Sequence, residues 1–124
     1  MMLLKESLKV LVLEDNTERL KWFKDTFFNY ELSIAMTAET AGYAIMKNEF
    51  DLIFIDHDLA DETSTGLDFA KVLAEEIEAG KVSNNLSIYI HSLNPVGARN
   101  IKSVLEDATI IPFTELIKSK GELI

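Results

Sequence analysis

An α/β fold built on a doubly wound parallel sheet of five strands is what this sequence predicts, and three observations predict it. Short apolar runs rich in branched residues recur along the 124-residue chain. Each is followed by a stretch with helical periodicity. Three of the runs stop abruptly at polar or ionisable clusters. Strict alternation of this kind implies right-handed crossovers, parallel strands and helices on both faces of the sheet.

Leu8 to Leu13 (LKVLVL) reads as a strand buried on both faces, and it stops at Glu14-Asp15-Asn16. From Asn16 to Tyr30 the apolar residues Leu20, Phe23, Phe27 and Tyr30 recur three and four apart. Glu18, Arg19, Lys21, Lys24 and Asp25 fill the other face of this amphipathic helix. Leu32 to Met36 is a second strand; Thr37 then offers an N-cap, with Glu39 in the first turn and Ala41, Ala44, Ile45 and Phe50 as the buried stripe. Leu52 to Ile55 (LIFI) is the strongest buried-strand signal and ends at Asp56-His57-Asp58. Ser64 or Thr65 can cap a helix reaching about Ala79, with Leu67, Ala70, Leu73 and Ile77 inward, and Gly80 is a natural residue to end it. Leu86 to Ile90 is the fourth strand, closed by His91-Ser92. Asn94-Pro95 places an N-cap before a first-turn proline, and the helix runs on through Ile101, Val104 and Leu105. Thr109 to Ile111 and Thr114 to about Lys120 complete the alternation.

The length suits one domain over residues 1–124. With 48% hydrophobic and 27% charged residues, the composition is globular. The absence of cysteine excludes thiol catalysis and Cys-ligated metal sites, and it agrees with an expected cytoplasmic location. Twelve basic against 21 acidic residues, a net charge of −9, argue against nucleic-acid backbone binding and favour cations as partners. No apolar run has the ~18 residues of a membrane span, and Lys5 and Glu6 interrupt the apolar N-terminus, so neither membrane nor signal-peptide export is expected.

In an open parallel sheet, ligands bind at the carboxyl ends of the strands, at the topological switch point. With a flavodoxin-like 2-1-3-4-5 order, the first and third strands meet at that point and the fourth flanks them. Glu14-Asp15, Asp56-His57-Asp58 and His91-Ser92-Leu93-Asn94 then converge, and the chain's only two histidines fall in the cluster. Several carboxyl groups in one crevice resist ionisation unless a cation sits among them, and hard oxygen ligands favour Mg²⁺ or Mn²⁺. Beside them, the N–H groups near Val96 to Ala98 form a candidate anion site. Gly97 would allow close approach of a ligand there, and Arg99 could grip a phosphate.

The pattern resembles the receiver domain of two-component response regulators over nearly the whole chain. The resemblance implies that Glu14, Asp15 and Asp56 hold Mg²⁺, that Asp56 is the phosphoacceptor for a histidine kinase, and that Ser92 is the hydroxyl residue ending strand four. Receivers end strand five in Lys-Pro; this chain has Ile111-Pro112-Phe113. FIDHDL (Phe54 to Leu59) and HSLNPVGARN (His91 to Asn100) resemble more closely the motifs of the cyclic-phosphate processing receiver-like domains. The leading expectation is therefore a metal-dependent receiver-like domain that binds or processes a phosphate ester, with a cyclic-phosphate hydrolase as the candidate enzyme. Its catalytic residues would be Asp56, His57 and His91, its metal ligands Glu14, Asp15 and Asp56, and its phosphate-binding residues Ser92, Asn94, Gly97 and Arg99. Asp58 would orient a histidine or add a ligand. The alternatives are a stand-alone receiver phosphorylated on Asp56 by a kinase, and a pseudo-receiver acting by binding a protein partner.

Overall fold

The computed structural model describes residues 8–61, 63–120 and 122. Ten elements alternate: β1 (Lys9–Leu13), α1 (Thr17–Thr26), β2 (Glu31–Ala35), α2 (Ala38–Lys47), β3 (Leu52–Ile55), α3 (Gly66–Glu78), β4 (Ser87–Ile90), α4 (Pro95–Val104), β5 (Thr109–Ile110) and α5 (Phe113–Lys118). All strands pair in parallel in the order β2-β1-β3-β4-β5, the order expected from the sequence.

The period of two along each strand divides the core into two layers. Val10, Val12 and Phe54 face α1 and α5, where they meet Leu20, Phe23, Phe27, Ile111 and Leu116. Leu11, Leu13, Ile53, Ile55, Ile88 and Ile90 face the opposite way, onto Ala41 and Ile45 of α2, Phe69 and Leu73 of α3 and Ile101 of α4. Burying apolar side chains of this size contributes ~1.5–3 kcal/mol each.

Local chemistry sets the helix starts. Asn16, Thr37 and Asn94 each accept a backbone N–H from their own first turn. Thr65, not Ser64, caps α3, in a reciprocal pair with Asp68. Gly80 adopts φ 76° just past the end of α3, a conformation that favours glycine.

A few boundaries differ from the sequence expectation. β2 is Glu31–Ala35 rather than Leu32–Met36, because its register on β1 runs from Lys9↔Glu31 to Leu13↔Ala35 and leaves Met36 exposed. α1 stops at Thr26 rather than continuing to Tyr30. The turn that follows, closed by Tyr30 N–H on Phe27 O, packs the Tyr30 ring 5.3 Å from that of Phe27. Phe69, absent from the expected inward set of α3, is fully buried there. Among the described residues no helix is long and apolar enough to cross a membrane.

Candidate functional site

The last paired rungs of the sheet are Leu13↔Ile55 and Ile55↔Ile90. One residue further, Glu14, Asp56 and His91 form the next rung. By the two-residue period they continue the face of Val12, Phe54 and Tyr89, above the layer covered by α1 and α5. The backbone still follows the ladder there, with Asp56 N–H on Leu13 O and His91 N–H on Ile55 O, both at 3.1 Å. All three side chains are buried, Glu14 completely.

A buried carboxylate needs donors, and Glu14 has them. Oε1 accepts from His91 Nε2 at 2.9 Å and Arg19 Nε at 2.8 Å. Oε2 accepts from the N–H groups of Asp15 and Asn16, both at 3.0 Å, and from Arg19 Nη2 at 3.2 Å. Burial alone would raise the Glu14 carboxyl, but the bonds from His91 and Arg19 outweigh it and hold the group down at about 2. Glu14 is thus an acceptor only, so Nε2 carries the His91 proton. His91 Nδ1 is buried without a hydrogen-bond partner. Edge-on contacts with Phe23, Phe54 and Phe113 fix the ring, at centroid distances of 5.1, 6.3 and 6.4 Å.

Asp56 is the reverse case. Oδ1 accepts His57 N–H at 2.9 Å, while Oδ2 is buried with no hydrogen bond and lies 3.7 Å from Arg19 Nη2. Burial, reinforced by the charge of Glu14 and opposed by His91 and Arg19, pushes its carboxyl up to about 6. Behind Asp56, Gly66 opens α3 against the backbone: a Cβ there would lie 1.9 Å from Asp56 O, and Gly66 N–H bonds His57 O at 2.9 Å.

A second group stands at the rim. His57 Nδ1 and Asp58 Oδ1 are 2.9 Å apart, and Asn94 Nδ2 reaches both Asp58 oxygens at 3.3 Å. The His57 bond is the main reason the Asp58 carboxyl lies below its usual range. Between this rim and the buried rung is a crevice of about 210 Å³ lined by Arg19, Asp56, Asp58, His91, Leu93 and Asn94.

The structure therefore brings Asp56, His91, Asp58 and Asn94 into the crevice lining, with the buried Glu14 bonded to His91, and leaves the other sequence candidates outside it. Asp15 does not line the crevice, its carboxylate accepting the N–H of Ala60. His57 lies behind Asp58, packed on Gly97, so the space expected for a ligand at that glycine holds an imidazole. The N–H groups expected to be free at the start of α4 are partly taken: Gly97 N–H bonds Asn94 Oδ1 at 3.0 Å and Ala98 N–H bonds Asn94 O at 2.9 Å. Ser92 Oγ accepts Asn94 N–H at 3.0 Å. Arg99 is exposed on α4 and does not line the crevice.

Arg19, placed on the outer face of its helix by periodicity, is a site residue that the sequence reading missed. The signal was its position three residues after the N-cap Asn16: the first turn of a helix that follows a strand end directly overhangs that end. Glu14, Asp56 and His91 offer potential ligand atoms within 4.8 Å of one another. This buried acidic and imidazole cluster differs from the Glu14, Asp15 and Asp56 set that the resemblance implies for Mg²⁺ or Mn²⁺.

An acidic crest over β1 and β3 in a five-stranded doubly wound sheet defines a receiver domain. More particularly, residues 10–107 match the model of the cyclic-phosphate processing receiver domain, and the chain belongs to that family. The fold is shared with chemotaxis protein CheY4 of Vibrio cholerae, at TM-score 0.69 and 20% identity over 96% of this chain and 100% of that one. It is also shared with the response regulator TrrA of Thermotoga maritima, solved with Mg²⁺ and BeF, at TM-score 0.67 and 20% identity over 94% and 99%. A CheY-like receiver domain from Methylobacillus flagellatus gives TM-score 0.64 and 20% identity over 93% and 99%. No curated protein matches the chain in sequence.

Proposed function

We propose that the protein binds and hydrolyses a phosphate ester, a cyclic phosphate as the family's description suggests, in the crevice above β1, β3 and β4. The observation that carries this reading is a pair of buried atoms without hydrogen-bond partners, Asp56 Oδ2 and His91 Nδ1, on two residues that line one crevice with the Arg19 guanidinium. Unpaired buried polar atoms are costly, and a bound phosphate with its attacking water would partner them.

The chemistry follows from the two protonation preferences. Glu14 holds the His91 proton on Nε2, which leaves the Nδ1 lone pair to accept a proton from water. The water oxygen bonds to phosphorus as one ester P–O bond breaks. Asp56, raised to about 6, supplies the proton taken up by the departing oxygen. Arg19 offsets the charge on the phosphoryl oxygens, and Asp58, held by His57 and Asn94, orients the alcohol portion of the substrate.

The rival reading, a switch phosphorylated on Asp56, is disfavoured by Ile111. It is packed into the apolar layer with Leu116 where receivers carry a lysine. A panel of cyclic phosphates should reveal turnover that is lost in Asp56→Asn and His91→Gln variants of native fold. A stable phosphoryl adduct on Asp56 by intact mass after incubation with a small phosphodonor, with no turnover, would overturn the reading.

A further inference from the structure

We infer that the Arg19 guanidinium occupies the place of a divalent cation in this crevice, so that the site takes its anion without metal. The inference relies on the phosphate-ester reading for the identity of the anion alone; the exclusion of a cation stands on geometry.

Four relationships carry it. Both oxygens of Glu14 are saturated, with five N–H donors where a carboxylate has about four lone-pair sites, so a metal could bind there only by breaking existing bonds. Arg19 lies between the two carboxylates that an ion would bridge, bonded to Glu14 through Nε and Nη2 and 3.7 Å from Asp56 Oδ2. The third expected ligand, Asp15, has its carboxylate committed to the backbone N–H of Ala60 in the loop after β3. Finally, the guanidinium is fixed from outside by the Phe113 ring, with Cζ 6.0 Å from the ring centroid.

The consequence is a preformed fork for an anion. Nε and Nη2 are used on Glu14, while Nη1 makes no hydrogen bond to the described residues and Arg19 lines the crevice. A guanidinium keeps its charge at any accessible pH and presents paired N–H groups that match phosphate oxygens. Its bond to Glu14 raises its own pKa further, so the cation is permanent.

Thermal unfolding with and without millimolar Mg²⁺ tests this directly. The wild-type melting temperature should not move, whereas Arg19→Ala, which removes two of the five donors on Glu14 and the cation beside Asp56, should gain several degrees with Mg²⁺. A clear Mg²⁺ shift in the wild type would overturn the inference, as would an Arg19→Ala protein indifferent to Mg²⁺. Should Arg19→Ala not fold, Mn²⁺ added to the isotope-labelled wild type decides. Unbroadened amide signals of Asp56, His57 and His91 are expected, and selective broadening there would overturn the assignment. Inorganic phosphate in chelator-containing buffer supplies the anion arm. It should stabilise the wild type, and a requirement for Mg²⁺ would defeat the inference while sparing the phosphate reading. No stabilisation by phosphate under either condition, with a wild type that ignores Mg²⁺, would defeat the phosphate reading and leave the cation assignment supported.

Discussion

Gly97 carries the ring of His57: a Cβ on that glycine would lie 2.4 Å from His57 Cγ, 2.7 Å from Nδ1 and 2.8 Å from Cδ2. The fit belongs to the site, because the same Nδ1 holds Asp58 at the crevice rim.

Gly97→Ala should therefore separate function from stability. Alanine is the better helix former by about 1 kcal/mol, which opposes the steric cost within α4. The ring must swing away and release Asp58. Expected are a loss of at least tenfold in kcat/KM on the cyclic phosphate that proves to be turned over, and a melting temperature within a few degrees of wild type. Unchanged kinetics would mean that the His57–Asp58 pair is dispensable.

Stability should fall as pH rises from about 4.5 to about 6. The Asp56 carboxyl is lifted by burial from its ordinary 3.8 to about 6. Its contribution is therefore fully present below the unfolded value and is lost as pH climbs through the folded one. Glu14, lowered from 4.5 to about 2, acts oppositely: its contribution is present above 4.5 and disappears toward 2. Between 4.5 and about 6 the Asp56 effect is the one that changes, by at most roughly 2 kcal/mol over that window. Urea unfolding of Asp56→Asn should show this slope abolished and a more stable protein at neutral pH. An equal slope in both proteins would show that Asp56 titrates normally.

Phosphorylation-like occupancy of Asp56 should leave β5 and α5 undisturbed. Ile111 is buried against Leu116 and offers no charge-assisted bond to a phosphoryl oxygen, and a population shift requires such differential contact. Chemical-shift mapping with beryllofluoride, in chelator-containing buffer and again with Mg²⁺, should place any change near the crevice. Large shifts through Thr109–Lys118 would contradict this.

The parts of the molecule most legible in the sequence were those in which one signal dominates. LIFI was delimited correctly because polar residues bound it on both sides, whereas β2 slipped by one residue because its position depends on pairing with β1. Convergence of the three strand ends followed from topology. Which residues of each cluster turn inward depended on the pleat. Glu14, Asp56 and His91 share its parity, whereas Asp15, His57 and Ser92 occupy the alternate positions, and treating each cluster as a unit concealed that division. Arg19 was hidden for a different reason. Helical periodicity separates core from solvent along the axis, but α1 begins beside a crevice, where a residue on the polar face still has buried carboxylates within reach.

The contact between Gly66 and Asp56 has a consequence for how this chain can vary. With Gly66 N–H tied to His57 O and no side chain between the two backbones, the excursion from β3 to α3 leaves and returns at nearly one point. Its entropy of closure grows only slowly with length, about 0.6 kcal/mol per doubling. Residues inserted beyond Ala60 would lengthen a loop whose ends are already joined, without displacing the strand end beneath it. New specificity elements could thus be grafted beside the crevice by insertion, while a side chain at position 66 itself would pry the two backbones apart.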